Sequence, residues 1–202
     1  MRKSVLSLFA FSVALAAQTL TPTVSPTSVV AGKPSTLTLT YAPGATPAAA
    51  VQWSFVAPTG GAIGTWTAGA ASTAAGKTVT CGSIVCVDYG LNQNVLGAGA
   101  LASVTVTPPS TARGPLTLTI AAPLSADAQG NALSTTAVTV TLIALSPFDL
   151  NGDGKVDAAD LIIAVNQVIG LQPCTTADFN GDGVCNVQDL VLLIADSFSA
   201  NP

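Results

Sequence analysis

The chain has 202 residues, of which 49% are hydrophobic, 10 are acidic and 6 are basic, and it contains no histidine. The small number of basic residues excludes a nucleic-acid-binding footprint. The lack of histidine excludes Ser-His-Asp and Cys-His catalysis and histidine metal centres.

The first 17 residues are predicted to be a secretory signal peptide that is not part of the fold. Arg2 and Lys3 precede an apolar run over residues 5–15, and Ala14-Leu15-Ala16 fits a cleavage site, with cleavage after Ala16 or Ala17. A membrane anchor is disfavoured because the run is too short to span a bilayer, and no later segment approaches twenty uninterrupted apolar residues. We therefore expect a bacterial protein that is secreted, extracellular or at the cell surface, without a membrane span.

Without the signal peptide, four basic residues remain against ten acidic ones, a formal charge of −6. All ten acidic residues are aspartates, and eight of them lie between residues 149 and 196. This concentration of charge points to a metal site near the C-terminus, because solvating charges would be spread over the surface.

Residues 18–145 are predicted to form a mainly β domain, a sandwich or jelly roll of eight or nine short strands. Apolar and polar residues alternate, as in Val51, Trp53 and Phe55, and turn sequences such as Pro58–Gly61 separate the runs. The predicted strands include residues 36–41, 51–55, 63–67, 78–81, 84–89, 101–107, 116–121 and 137–143. The segments 42–50 and 67–76 are expected to be loops.

The four cysteines are Cys81, Cys86, Cys174 and Cys185. Export permits disulfides, and three pairings are conceivable. Proximity favours Cys81–Cys86 and Cys174–Cys185, with free buried thiols as the alternative. Zinc is disfavoured by the cysteine spacing and the lack of histidine.

Two related stretches, residues 149–160 and 178–189, follow the β region. Six of their twelve positions are identical, and they start 29 residues apart. Oxygen-bearing side chains recur at positions 1, 3, 5, 9 and 12, glycine occupies position 6, and position 7 contributes a backbone carbonyl, as in EF-hand-type calcium loops. The predicted ligands of two Ca²⁺ ions are Asp149, Asn151, Asp153, Lys155, Asp157 and Asp160, and Asp178, Asn180, Asp182, Val184, Asn186 and Asp189.

A helix is predicted after each stretch, over residues 160–169, where Gly170 ends it, and over residues 189–198. The first stretch follows a predicted strand, and the second follows residues 172–177, which Pro173 interrupts. Neither is entered directly from a helix, so each is a loop–helix half-motif. Apolar residues cover nearly the whole circumference of both helices, more than the two helices can bury against each other. The surplus predicts a docking face for a partner or packing against the β domain, and the two are not exclusive.

Residues 148–199 resemble a type I dockerin, on the basis of the two repeats and of Asp at the last position of each loop. The resemblance implies two antiparallel loop–helix units, one Ca²⁺ in each, and a cohesin-type partner. It places the selection of the partner just before the final Asp of each loop, where this chain lacks the common hydroxyl pair. The predicted partner-binding residues are Ala158, Ala159, Ile162, Val187, Gln188 and Val191.

More faintly, residues 18–145 resemble a cohesin-like domain or a jelly-roll carbohydrate-binding module. The chain is therefore divided into a signal peptide over residues 1–17, a cohesin-like domain over residues 18–145 and a dockerin domain over residues 146–202.

An enzyme is not expected. Glycoside hydrolysis needs two carboxylates about 5–10 Å apart, and only Asp88 and Asp127 lie outside the calcium region. Both are interpreted as solvated acids in turns. Trp53 is interpreted as a core residue, whereas Trp66 stays a candidate for stacking on a sugar.

Three functions remain. The first is a secreted, non-catalytic adaptor that docks through its dockerin, linked to polysaccharide degradation or to cell-surface complexes. The second is a carbohydrate-binding module with a dockerin tag, which makes polysaccharide a candidate partner. The third is self-assembly through the chain's own cohesin-like and dockerin domains.

Overall fold

The computed structural model describes residues 17–199, so the predicted signal peptide lies outside the described residues except for Ala17. Thirteen strands precede two longer helices, and one short helix lies among the strands. The strands are β1 (Gln18–Ser25), β2 (Ser28–Val30), β3 (Ser35–Ala42), β4 (Ala50–Phe55), β5 (Ala62–Ile63), β6 (Thr67–Ala68), β7 (Thr78–Cys81), β8 (Val85–Tyr89), β9 (Gly99–Thr107), β10 (Gly114–Ala126), β11 (Ala132–Leu133), β12 (Thr135–Ala137) and β13 (Thr139–Leu145). The helices are α1 (Ala70–Ala74), α2 (Ala158–Val168) and α3 (Val187–Ser199).

The strands form two sheets that enclose one core. The first sheet has the order β12-β1-β3-β9-β5, and β6 also pairs with β9. The second has the order β2-β13-β10-β4-β8-β7, and β11 also pairs with β10. Most pairs are antiparallel, while β1–β12 and β13–β2 are parallel. The predicted mainly β architecture is confirmed, although several short edge strands raise the count above eight or nine.

Alternation of residue type builds the core of the β domain. Leu37, Leu39 and Tyr41 of β3 and Val51, Trp53 and Phe55 of β4 are at most 2% exposed. Because side chains on a strand point alternately to opposite faces, each strand contributes one apolar row to the space between the sheets. Each large side chain buried in this way stabilises the fold by about 1.5–3 kcal/mol.

Trp66 belongs to this core and does not form a platform for a sugar. It is 7% exposed, and its ring meets that of Trp53 edge-on at a centroid distance of 5.4 Å. The distance to the ring of Phe55 is 5.8 Å. Edge-to-face pairs at such distances add to the energy gained from burial alone.

Two predicted segments differ in the structure. The single strand predicted over residues 63–67 is replaced by the two short strands β5 and β6, which both pair with β9. The loop predicted over residues 67–76 contains β6 and the helix α1. Gly69 lets the start of this helix approach β9 closely, since a Cβ atom there would lie 2.3 Å from the carbonyl oxygen of Ala100.

Asp88 is buried, which corrects its interpretation as a solvated acid in a turn. It lies on β8 with no exposed surface. The Ser72 hydroxyl of α1 donates to its Oδ1 at 2.7 Å, while its Oδ2 has no hydrogen-bond partner. Burial raises the pKa of Asp88 above its ordinary value, against smaller lowering effects of Ser72 and Lys77.

Asp127 does lie in a turn, between β10 and β11, where it is half-buried. Its carboxylate accepts the side-chain amide N–H of Asn131 at 2.8 Å and two backbone N–H groups of the same turn. The amide of Asn131 and these backbone donors hold the pKa of Asp127 below its ordinary value. The two acids of the β domain therefore differ in environment, and their pKa values are shifted in opposite directions.

The four cysteines form two disulfides. Cys81 and Cys86 are opposite one another on β7 and β8 and close a tight hairpin. Cys174 and Cys185 are joined within the C-terminal region. Both pairings are those that proximity in the sequence favours.

The C-terminal region meets the β domain through polar contacts. Arg113 Nη2 of the β domain lies 3.7 Å from Asp196 Oδ1, and the Ser146 hydroxyl, at the junction of the two regions, donates to Asp196 Oδ2 at 3.2 Å. A cleft of about 520 Å³ lies beside these contacts, and its lining includes Gly154 and Lys155. Across residues 17–199, no helix is both long enough and apolar enough to cross a membrane.

Candidate metal centre

The first loop, residues 149–160, is organised by the carboxylate of its first residue. Asp149 is 7% exposed, and its Oδ1 accepts the backbone N–H groups of Gly152 and Asp153 at 2.8 and 3.1 Å. Its Oδ2 accepts the N–H of Gly154 at 2.8 Å. The chain can turn this sharply because Gly154 has φ +88°, a conformation that costs glycine little.

The second loop, residues 178–189, repeats this geometry closely. Asp178 Oδ1 accepts the N–H groups of Gly181 and Asp182 at 2.9 and 3.1 Å, and Oδ2 accepts the N–H of Gly183 at 2.9 Å. Gly183 has φ +86°. Two stretches with six identical positions thus fold into the same turn.

The last Asp of each loop connects the loop to its helix. Asp160, which is fully buried, accepts the N–H groups of Leu150 and Asn151 on Oδ1 at 2.7 and 3.1 Å. Its Oδ2 accepts the N–H of Asp157 at 2.9 Å. The Asp160 side chain is long enough to reach these N–H groups of the loop from the first turn of α2. A negative charge in that turn also stabilises the helix.

Position 9 caps each helix. Asp157 Oδ1 accepts the N–H of Ala159 at 2.8 Å, and Asn186 Oδ1 accepts the N–H of Gln188 at 2.7 Å. Together with the carboxylate at position 12, each forms a reciprocal cap of the kind that fixes a helix start. The helices therefore each begin two residues earlier than predicted, at Ala158 and Val187, because the caps lie inside the loops.

Asp189 repeats the role of Asp160 in the second loop. Its Oδ1 accepts the N–H groups of Phe179 and Asn180 at 2.9 and 3.2 Å, and its Oδ2 accepts that of Asn186 at 2.9 Å. Burial alone would raise the pKa of Asp189, but these backbone donors together outweigh it and hold the pKa below its ordinary value. The anionic form that a cation requires is thus favoured.

The donor set of both loops fits Ca²⁺. Asp149 Oδ2 and Asp160 Oδ2 each accept a single N–H bond, so each keeps a lone pair for a cation. Within residues 17–199, no three Asp, Glu, His or Cys side chains converge as a metal cluster. Asparagine side chains and the carbonyls of Lys155 and Val184 would therefore have to complete the six to eight oxygens that Ca²⁺ takes.

The two loop–helix units share a small core. Ala164 of α2 and Leu193 of α3 are at most 1% exposed, and the rings of Phe148 and Phe179 pack at a centroid distance of 4.7 Å. These contacts hold the helices together, but they bury only one side of each.

The six residues predicted to bind a partner are all exposed on the helices: Ala158, Ala159, Ile162, Val187, Gln188 and Val191. Ile162, Val187 and Val191 are 61%, 67% and 59% exposed. The β domain of the same chain therefore does not cover these side chains, and the alternative that they pack against it is wrong for them.

Gln167 is a structural residue of this region that the sequence did not single out. It is 7% exposed, and its Oε1 accepts three consecutive backbone N–H groups, those of residues 175–177, at 2.9–3.1 Å. A polar residue within the last turn of an apolar helix was the available signal.

The helical region matches the family described as Dockerin type I domain over residues 147–196. No curated protein sequence matches the chain. Dockerin modules bind calcium and serve protein–protein docking, and dockerin and cohesin modules are non-catalytic.

Among solved structures, the β domain is similar to cohesins. A non-cellulosomal cohesin from the hyperthermophilic archaeon Archaeoglobus fulgidus is 15% identical, with 65% of this chain and 93% of that chain covered and a TM-score of 0.52. A cohesin module from a Clostridium perfringens family 33 glycoside hydrolase is 14% identical over 64% of this chain and 97% of that chain, with a TM-score of 0.54.

A third similar structure is the sixth cohesin of scaffoldin B from Acetivibrio cellulolyticus, which was solved in complex with a dockerin. It is 11% identical, with 63% of this chain and 99% of that chain covered and a TM-score of 0.52. At these identities the similarity establishes the fold of the β domain. The chain thus carries a type I dockerin domain of the dockerin family at residues 147–196, preceded by a β domain with the cohesin fold.

Proposed function

We propose that the mature chain is a secreted, non-catalytic adaptor whose dockerin domain binds two Ca²⁺ ions and docks onto a cohesin-type domain of another protein. The observation that carries the proposal is the pairing of two matching carboxylate loops with two helices that expose apolar side chains next to them. The proposed Ca²⁺ ligands are the twelve residues at positions 1, 3, 5, 7, 9 and 12 of the two loops.

The role of the metal in this proposal is structural. A bound Ca²⁺ would neutralise carboxylates that otherwise repel one another and would fix the start of each helix through positions 9 and 12. This orients Ile162 on α2, and Val187 and Val191 on α3. Burial of these apolar side chains would supply most of the docking energy.

Export, which rests on the sequence of residues 1–17, supports this assignment. Extracellular calcium is abundant enough to fill sites of micromolar to millimolar affinity, and an oxidising compartment preserves both disulfides. A link to polysaccharide degradation or to cell-surface complexes is part of the proposal.

The test is calcium-dependent capture. The mature chain is immobilised and presented with secreted proteins of its host in calcium and in excess EDTA. We expect a cohesin-bearing protein to be retained only in calcium. An Asp149→Ala/Asp178→Ala variant should lose this capture, whereas Asp127→Ala, which removes a half-buried aspartate outside the loops, should retain it. Equal retention with and without calcium would refute the proposal.

Self-assembly is a second candidate function, in which the β domain of one molecule receives the dockerin domain of the next. It is favoured by the presence of both module types in one chain and by exposed apolar residues on the second sheet, where Val85 and Leu124 are 41% and 59% exposed. Such head-to-tail contacts would build chains of molecules. Light scattering should then show a mass that grows with protein concentration in calcium only.

Binding of polysaccharide by tryptophan stacking is not proposed. The chain has two tryptophans, and Trp53 and Trp66 are both within the core.

A further inference from the structure

The two loops have matching carboxylate geometry, but only the second is covalently tied to the chain before it. The Cys174–Cys185 disulfide reaches into the second loop, since Cys185 is its eighth residue. Cys185 is 7% exposed and lies in the small core between the helices. The eighth residue of the first loop is Val156, so the first loop has no such crosslink.

Gln167 fixes the same segment from the other side. Its Oε1 accepts the N–H groups of Thr175, Thr176 and Ala177 at 2.9, 3.0 and 3.1 Å. Its Nε2 donates to Thr176 Oγ1 at 2.8 Å. These residues lead directly into Asp178, the first ligand position of the second loop. We refer to Gln167 together with the Cys174–Cys185 disulfide as the second-loop clamp.

The first loop has a simpler entry. Before Asp149, the chain is held by the Ser146 hydroxyl, which accepts the N–H of Phe148 at 3.2 Å, and by the Asp149 N–H bond to the Ser146 carbonyl at 3.2 Å. Both bonds are local, although the same Ser146 hydroxyl also donates to Asp196 Oδ2 on α3 at 3.2 Å. The entry of the first loop is therefore held by hydrogen bonds and by the packing of Phe148 on Phe179, and no disulfide crosslinks it.

This asymmetry has a consequence for metal affinity. A loop without its cation contains several like charges that repel one another, and it has to lose conformational freedom when the cation binds. A crosslink removes much of that freedom beforehand, so less of the binding energy is spent on ordering.

We propose that the second-loop clamp pre-forms the second calcium loop, which makes it the tighter of the two sites and the first to fill. Breaking the disulfide lowers the affinity of the second site towards that of the first. This inference rests on the proposed function, because it presupposes that both loops bind Ca²⁺. The clamp residues act as positioning residues and are not ligands.

Two glycines allow each site to be followed separately. The N–H of Gly154 donates to Asp149 Oδ2 and that of Gly183 to Asp178 Oδ2, at 2.8 and 2.9 Å. A cation bound at either Asp polarises this hydrogen bond and shifts the amide proton. We would titrate the ¹⁵N-labelled mature chain with CaCl₂ and record both amide signals.

In the unmodified protein, the Gly183 signal should reach its midpoint at a calcium concentration about 10–100-fold lower than the Gly154 signal. In a Cys174→Ala/Cys185→Ala variant, the Gly183 midpoint should rise towards that of Gly154, which itself stays in place. Gln167→Leu should shift the Gly183 midpoint in the same direction. The matched control is Cys81→Ala/Cys86→Ala, which removes the distant disulfide and should change neither midpoint.

If the double variant of the second loop does not fold, the crosslink can be opened in the folded protein. Adding reductant to the Cys81→Ala/Cys86→Ala variant breaks only Cys174–Cys185, and the Gly183 midpoint should rise. Equal midpoints in the unmodified protein, or a Gly183 midpoint that ignores the loss of the crosslink, would overturn the inference while leaving calcium binding intact. If neither glycine responded to calcium, the proposed function would fall as well.

Discussion

The β domain and the dockerin domain are stabilised in different ways. Between the two sheets lies a continuous core that includes Trp53, Tyr41, Phe55 and several leucines, all close to fully buried. The buried residues described in the small core of the two helices are Ala164, Ala177, Cys185 and Leu193. In their place, the dockerin domain buries carboxylates, among them Asp149, Asp160 and Asp189.

The difference predicts which domain can fold without a bound cation. Apolar burial stabilises the β domain in any buffer. Buried carboxylates are costly unless a counter-charge accompanies them, and backbone N–H donors meet only part of that cost. Eight aspartates and one lysine lie between residues 149 and 196, so we expect the dockerin domain to need cations to offset its own repulsion.

Chelation should therefore separate the two domains, and this is the largest effect we expect. In excess EDTA, α2 and α3 should lose most of their helical circular dichroism, while the β domain keeps its signal and its own thermal transition. Adding Ca²⁺ back should restore the helices. Helicity that is unchanged in excess EDTA would show that the small core and the disulfide are sufficient alone.

The reverse experiment weakens the β domain alone. Trp66→Ala removes a ring that packs edge-on against Trp53 and Phe55, and it should lower the free energy of unfolding of the β domain by about 3–5 kcal/mol. Urea unfolding followed by circular dichroism measures this loss. The calcium-dependent helical change should persist.

A suitable control for this substitution is Tyr89→Ala, because Tyr89 is 45% exposed. It should change stability by less than about 0.5 kcal/mol. A Trp66 variant as stable as this control would mean that Trp66 is not part of the core in solution.

Much of this comparison was predictable from the sequence. Three features are local patterns that can be recognised without knowledge of the tertiary structure. They are the repeated Asp-x-Asn-Gly-Asp-Gly turn, the alternation over Val51–Phe55 and the surplus of apolar residues in the helices. They predicted two domains, a mainly β core and exposed apolar positions on both helices.

Other features depend on contacts between distant parts of the chain. Helix α1 was missed because it is only five residues long and follows Gly69, which the sequence marks as a breaker. The burial of Trp66 depends on two residues from β4. The role of Gln167 depends on a segment eight to ten residues further on. The periodicity of apolar residues along the sequence does not indicate which distant residues will be in contact.

The burial of Asp88 was partly predictable from the sequence, and it adds to the contrast between the two domains. It shares the inner face of β8 with Cys86, which is 2% exposed, so strict alternation would have placed its carboxylate inside. A carboxylate in the dockerin domain receives several N–H donors, whereas Asp88 Oδ2 has no hydrogen-bond partner.

The raised pKa of Asp88 gives a pH dependence with a defined sign. Because the folded state holds the proton more tightly than the unfolded state, this group favours folding below the ordinary Asp pKa of about 3.9. That contribution is lost as pH rises through the folded pKa. Asp88→Asn removes this titration, so its free energy of unfolding should not fall in the same way. Relative to the unmodified β domain, the free energy of unfolding of the variant should rise by on the order of 1 kcal/mol between acidic and neutral pH. Denaturation followed by tryptophan fluorescence reports this domain, since both tryptophans lie in it.

The matched control for this pH experiment has the opposite sign. The pKa of Asp127 is lowered by Asn131 and neighbouring backbone donors, so its contribution to stability is present above the ordinary Asp pKa and is lost as pH falls. Asp127→Asn should therefore remove the loss of stability that this group causes when the pH falls. Identical pH profiles for the two variants would contradict the assigned environments.

The contact between the two domains should give the smallest effect. Arg113 Nη2 is 3.7 Å from Asp196 Oδ1, and the Arg113 side chain is 37% exposed, so the pair is partly solvated and is screened by salt. Arg113→Ala should lower the stability of either domain by less than about 1 kcal/mol. Arg113→Lys is the matched control, since it keeps the charge. Calorimetric scans in calcium measure the thermal transitions of both domains.

If Arg113→Ala instead lowered the temperatures of both transitions together, the two domains would be one cooperative unit. The contrast between an apolar core and a metal-dependent one would then no longer describe two separate folding events.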